Sequence, residues 1–237
     1  MGVSSMKLGI MQPYFLPYIG YFHLLKSVDI FIIYDNIKYT KKGWINRNRF
    51  LLNGSSAVFS LPLKNSSDTL NVVDRELVAD FDRIRLLNKF KGAYTRAPYF
   101  RDVFPFLEKI ILNPDNNLFN YIYFSLVSLC QRMEIDTKIL VSSEIPIDHS
   151  KKGHDKIIAL CQALCADIYI NPIGGIELYS KEIFADRGVT LQFIKSLPLS
   201  YPQFGNEFVS WLSIIDVLMF NHPSDINQRL LTSYELV

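Results

Sequence analysis

Two short apolar runs, Lys7–Met11 and Asp29–Tyr34, are separated by a proline-bearing turn and a helix-compatible stretch, all within residues 7–34. Runs this apolar are strands buried on both faces, because a half-exposed strand alternates polar and apolar residues. Covering both faces takes helices, and the spacing is that of a parallel strand–helix–strand crossover. The turn Gln12–Pro17 holds two prolines and cannot be helical throughout. Tyr18–Ser27 suits the crossover helix. The last third repeats the alternation. Lys138–Val141, Asp167–Ile170 and Thr190–Ile194 read as strands, and Gly153–Cys165, Ile176–Asp186 and Trp211–Phe220 as helices. The pattern predicts an α/β fold with a mostly parallel, Rossmann-like sheet. Ser56–Leu63 is a further strand candidate. Asp80–Lys91, Phe100–Leu112 and Leu118–Glu134 carry apolar residues at helical spacing, so a helical insertion is expected over about residues 78–135 of a single domain spanning 1–237. Strand order stays open.

Composition narrows the function classes. Of 237 residues, 49% are hydrophobic and 20% charged, enough apolar material for a full core. With 25 Lys+Arg against 23 Asp+Glu, the net charge of +2 disfavours a nucleic-acid binder as a partner class. No stretch approaches the about 20 apolar residues needed to span a bilayer, and no signal peptide is visible. Met1–Ser5 read as a start extension, with Met6 as a natural start. Three cysteines without a framework spacing indicate a reducing, cytoplasmic setting. Cys161 and Cys165 would share a helix face as small buried hydrophobes. Zinc would need further ligands, of which only His154 is in reach, and no metal site is predicted.

In a parallel α/β sheet, ligands bind beyond the carboxyl ends of the strands. Four loops follow from that rule. In the first, Gln12 to Tyr21, Gly20 lets a helix start approach an anion. Tyr18-Ile19-Gly20-Tyr21 has the outline of the His-x-Gly-His turn of adenylyl-transferring enzymes, with both histidines replaced by tyrosine. An aromatic-packed turn is the alternative. In the second loop, Asp35 ends the strand, and Lys38, Lys41, Lys42, Arg47 and Arg49 follow with no acid between Lys38 and Arg49. These cations suit phosphate neutralisation, or else form a solvated basic face. In the third, Asn171, Gly174, Gly175 and Tyr179 surround a turn that either presents backbone N–H groups to an anion or is structural. In the fourth, Tyr201 and Gln203 are of a type that orients polar ligands. Asp216 follows within an apolar helix, where a carboxylate must cap, pair or contact substrate. His154, before a helix, is a candidate general base or a surface capping residue.

Five segments, IMQPYFLPYIGYF (Ile10–Phe22), YDNIKYTKKGWINRNRF (Tyr34–Phe50), AYTRAPYF (Ala93–Phe100), DIYINPIGGIELY (Asp167–Tyr179) and YPQFGNEFVSWLSIIDVL (Tyr201–Leu218), resemble the WbqC-like family of surface-polysaccharide gene clusters. The resemblance implies an enzyme of nucleotide-sugar or glycan modification that transfers an acyl or aminoacyl group, such as glycine, to the amine of an amino sugar. Such chemistry is similar to that of pantothenate synthetase, which joins an acid to an amine through an acyl-adenylate. ATP with magnesium is one cofactor set, and an acyl-coenzyme A or acyl-carrier donor the other. On this reading Gln12, Tyr18, Gly20, Tyr21, Lys38, Lys41, Arg47 and Arg49 hold phosphates, and Asp35 positions the amine or magnesium. Asn171, Gly174, Gly175, Tyr179, Tyr201 and Gln203 bind the nucleotide sugar, and His154 or Asp216 takes the amine's proton. A glycosyltransferase with a nucleotide-sugar donor and a non-catalytic subunit of an assembly complex remain the alternatives. The oligomeric state is not readable.

Overall fold

A computed structural model describes residues 5–205 and 207–237; residues 1–4, part of the stretch expected to be a start extension, and Asn206 lie outside the described residues. The described residues form eight strands: β1 (Lys7–Met11), β2 (Ile30–Ile33), β3 (Arg47–Leu52), β4 (Ser55–Ser60), β5 (Lys138–Val141), β6 (Ile168–Pro172), β7 (Thr190–Ser196) and β8 (Tyr234–Leu236). Six of them form one sheet in the order β5-β2-β1-β6-β7-β8, and β3 and β4 pair as a separate antiparallel hairpin. All pairings in the large sheet are parallel except β7 with β8. Taken by chain order, the five parallel strands run 3-2-1-4-5, the Rossmann order.

The strands are apolar on both sides, as a sandwiched parallel sheet requires. Leu8, Ile10, Ile30, Ile32, Tyr169, Leu191 and Phe193 face one layer, where they meet Ile157, Ile158, Leu160 and Cys161 of α5 (Gly153–Ala163). Phe184 of the short α6 (Lys181–Ala185) completes that layer. Phe31, Ile33, Ile170 and Ile194 face the other, packing with α1 (Ile19–Lys26) and α7 (Ile214–Phe220). This second core continues without a break into α2 (Arg83–Tyr94), α3 (Phe100–Ile111) and α4 (Leu118–Arg132), the three helices inserted between β4 and β5. Phe50, Phe59 and Phe90 join hairpin to insertion, with ring centroids 4.9–6.0 Å apart.

The fold departs from sequence expectation at four points. Arg47–Leu52, read as part of a cationic loop, is strand β3, in which half-buried Arg47 and Arg49 alternate with buried Asn48 and Phe50. The helix expected over Ile176–Asp186 is confined to Lys181–Ala185, after a 3₁₀ turn at Ile173–Gly175. The last expected helix begins at Ile214, because Trp211 takes a left-handed backbone (φ 61°) and Ser213 caps the Ile215 N–H. Cys165 lies beyond the end of α5 with φ 53° and is exposed, so it shares no buried face with Cys161. Among the described residues, no helix is long and apolar enough to cross a membrane, and no group of three His, Cys, Asp or Glu side chains converges to hold a metal.

Candidate functional site

The five parallel strands end on one side of the sheet, at Met11, Ile33, Val141, Pro172 and Ser196. From β1 the chain first builds outward through β2 to β5, then returns to the opposite side for β6 and β7. The switch point therefore lies between β1 and β6, where this fold binds ligands.

The β1–α1 turn is stitched to the cationic segment and to the chain before α7. Phe15 N–H donates to the Ile45 carbonyl (2.9 Å), Ser213 N–H to Arg49 O (2.8 Å) and Ile214 N–H to Pro17 O (2.7 Å). The Leu16 carbonyl accepts from the Asn48 amide and from Ser213 Oγ. Leu16 itself has φ 46°, a strained backbone that these bonds hold in place. The result is a cavity of about 250 Å³ walled by Tyr14, Tyr18, Trp44, Asn48, Arg49 and Trp211. Tyrosine-lined turn and cationic stretch thus meet in one cavity. The Arg49 and Arg47 guanidinium carbons lie 4.8 and 5.1 Å from the Trp44 ring centroid. Trp211, 66% exposed, stands 5.5 Å from the Tyr18 ring. The same two rings also border a larger, mostly apolar groove of about 370 Å³, lined by Ile19, Leu197, Leu199, Tyr201, Phe208 and Val217 among others.

Asp216 is fully buried and joins that groove through Tyr201, one of the residues that line it. Its Oδ2 accepts from the Tyr201 hydroxyl (2.8 Å) and the Gln203 amide, and its Oδ1 from the Tyr94 hydroxyl (3.0 Å). No cation is within ion-pair distance among the described residues. Burial therefore outweighs the three donors and lifts its pKa to about 6. A carboxylate poised there is ionised at neutral pH yet accepts a proton readily.

A second polar cluster lies at the ends of β2 and β5. Asp35 is fully buried; its Oδ1 accepts from Ser142 Oγ (2.7 Å) and Ser143 N–H (3.0 Å), while its Oδ2 has no partner. Beside it stands Lys156, 5% exposed, with its ammonium 4.8 Å from the Tyr34 ring and one long contact (3.4 Å) to Asn36 Oδ1. Burial lowers the Lys156 pKa, and Asp35 opposes the shift. Burial likewise pushes the Tyr34 phenol up to about 12, with Tyr179 and Asp35 adding to it. Asp35 was expected to position either the substrate's amine or a magnesium ion. A lone carboxylate already tied to Ser142 and Ser143 and facing an ammonium does not fit a protein-held divalent cation.

The other predicted residues divide. Tyr21 is core: it is 2% exposed, packs on Tyr14, Phe22 and Phe31, and its hydroxyl donates to the Gln12 carbonyl (3.1 Å). Gly20 does leave space beside the helix start, but the Tyr18 ring fills it: a Cβ on Gly20 would lie 2.4 Å from that ring. Asn171 covers Gly175 in the same manner, with its Nδ2 2.0 Å from where a Cβ would be; Gly174 is open. Asn171 Oδ1 accepts from the Tyr169 hydroxyl (3.1 Å), and the Tyr179 ring stands against Tyr169 and Phe184. Lys38 is exposed, and Lys41 pairs with Asp68 on the surface (2.8 Å). His154 lies half exposed in the first turn of α5, 3.6 Å from Asp155, and borders neither cavity.

Lys156 and Trp211 escaped the sequence reading. The signal for Lys156 was its place on the apolar stripe of α5, with Ile157, Leu160 and Cys161, where a lysine is out of pattern. Trp211 was hidden by being counted into a helix.

Comparison with known proteins agrees with this chain-wide organisation. The sequence profile of the WbqC-like protein family matches residues 12–228, which takes in both polar clusters and the aromatic cavity. The uncharacterized protein Rv1507c of Mycobacterium tuberculosis is 25% identical over 218 residues, covering 91% of this chain and 93% of its own. With a match running from the first turn after β1 to the C-terminal helical turns, the chain belongs to the WbqC-like protein family.

Proposed function

We propose that this protein modifies a phosphorylated amino sugar in surface-polysaccharide biosynthesis, transferring an acyl or aminoacyl group to the sugar's amine. The observation that carries this reading is the cavity at the switch point, which combines aromatic walls with a guanidinium. Tyr18, Trp44 and Trp211 suit the faces of a sugar or a base. Arg49, with Arg47 behind it on Trp44, suits a phosphate through a fork of N–H donors. The amine nitrogen attacks the acyl carbonyl carbon, and the donor's leaving group departs with the bonding pair. The amine's proton passes to the Tyr201 oxygen as Tyr201 hands its own to Asp216, along the 2.8 Å hydrogen bond between them. His154 has no part in this scheme. A preformed acyl donor, such as an acyl-coenzyme A or a charged carrier, is favoured over ATP, because the β1–α1 turn offers tyrosines and no cation where a His-x-Gly-His turn would meet phosphates.

Thermal shift with UDP- and dTDP-linked amino sugars, ATP and acyl-coenzyme A tests the reading. A nucleotide sugar at a hundredfold excess over Kd adds about 2.7 kcal/mol to stability. Arg49→Ala should weaken that affinity by about tenfold or more, the loss of one charge-assisted contact. Stabilisation by ATP alone would restore an adenylation step. Sugar transfer from the nucleotide would make the chain a glycosyltransferase, and no response to any nucleotide would leave a non-catalytic binding subunit.

A further inference from the structure

Behind the cavity, the cationic segment meets a buried arginine from outside it. Residues 37–39 pair with 70–72: Lys38 bridges Asn71, Tyr39 N–H donates to Leu70 O (3.1 Å) and Val72 N–H to Ile37 O (2.9 Å). The 3₁₀ turn Val72–Asp74 then delivers Arg75, whose own carbonyl accepts from Leu118 at the start of α4 (2.9 Å). Arg75 is 3% exposed and its guanidinium carbon is 4.8 Å from the Tyr39 ring centroid. Its Nε and Nη2 have no hydrogen-bond partner, and neither does Arg47 Nε. The Asp68 carboxylate, paired with Lys41 on the surface, stands 3.9 Å from Arg75 Nη2, beyond hydrogen-bonding reach. Arg75, Arg47 and Lys41 all act on the Tyr39 phenol, opposing the rise that burial causes. Buried guanidinium donors are seldom left unpaired, since each unpaired donor has lost its water without gaining a partner.

We infer that Arg75 and Lys41 form a phosphate subsite beside Tyr39 in which Asp68 stands in for the ligand's anion. An incoming phosphate displaces the Asp68 carboxylate and takes up the unpartnered N–H groups of Arg75. Arg47 links the two regions, since its guanidinium stacks on the Trp44 wall of the cavity and its charge acts on the Tyr39 phenol. The track Arg49–Trp44–Arg47–Tyr39–Arg75 therefore suits an organic diphosphate, with the sugar in the aromatic cavity and the phosphates along the arginines. This deepens the proposed function and rests on its phosphorylated substrate, not on acyl transfer.

Calorimetric titration of the full chain with inorganic pyrophosphate and with uridine diphosphate, at fixed ionic strength, tests it. Asp68→Asn removes a competing surface anion and should tighten binding of both by about two- to fivefold, the range of an exposed ion pair. Arg75→Gln should weaken both by about tenfold or more. Asp68 is exposed, so its variant folds even where Arg75→Gln does not. Unchanged or weaker binding in Asp68→Asn overturns the subsite. Loss of nucleotide-sugar binding in Arg49→Ala, with Asp68→Asn like wild type, removes the subsite and leaves the cavity. Arg75-dependent pyrophosphate binding without nucleotide-sugar binding keeps the subsite and removes the wider reading.

Discussion

Replacing Asp216 by Asn separates a buried charge from the hydrogen bonds that surround it. The native carboxyl has its pKa raised from an ordinary 3.8 to about 6, chiefly by burial. Between those values the folded protein holds a proton that the unfolded chain has released, so stability falls as pH rises. The loss is complete once pH passes the folded value of about 6. A shift of about two units at 1.36 kcal/mol each amounts to about 3 kcal/mol. Asn does not titrate, so the difference between wild type and Asp216→Asn isolates this one group while all other titrations cancel. The variant also sets an amide against Tyr201 and Gln203. Gln203 cannot turn to compensate, because its Oε1 accepts from Val209 N–H (2.7 Å) while its Nε2 serves the Val209 carbonyl. That adds a constant cost of about 1–3 kcal/mol at every pH. Urea unfolding at pH 4, 5, 6, 7 and 8 should therefore show wild type losing about 2.4 kcal/mol relative to the variant between pH 4 and pH 7, because a large share of the unfolded carboxyls is still protonated near pH 4, then a flat difference. Parallel profiles across the whole range would refute the account of Asp216 as a charge held at the expense of stability. They would also remove the proton acceptor from the proposed acyl transfer.

Two further substitutions test how the β1–α1 turn is built. Tyr21→Phe should cost about 1 kcal/mol in chemical denaturation, the loss of its bond to the Gln12 carbonyl, and leave nucleotide-sugar affinity unchanged; a drop in affinity with stability intact would give its hydroxyl a ligand role. Gly20→Ala puts a methyl 2.4 Å from the Tyr18 ring, which must swing out of the cavity wall. The variant should stay folded and lose ligand-induced thermal stabilisation, and retained stabilisation would show that Tyr18 is no part of the binding surface.

Strands β1 and β5 were legible to the residue, since their runs are short, mostly apolar and bounded by turn-forming chain. The three inserted helices were legible within a few residues, because their apolar faces repeat at helical spacing. Strand β3 was not, as its charges mask an alternation that only pairing with β4 reveals. The loops beyond β1, β2 and β6 were found through the rule that parallel sheets bind ligands at their carboxyl ends, and that rule needs strands but no contacts. Which side chains of those loops turn outward was another matter. Tyr18 and Tyr21, three apart on neighbouring turns, have one ring at the cavity and one in the core.

Local pattern settled the layered α/β class, since it follows from periodicities written within a few turns of chain. Burial and partnership came from elsewhere. Asp216 meets Tyr94 across 122 residues, Asp35 meets Ser142 across 107, and Arg75 meets Tyr39 through a pairing of two loops. Those encounters depend on how distant segments pack. They set the desolvation and the neighbouring charges that give each group its chemistry, and no local window of residues contains them.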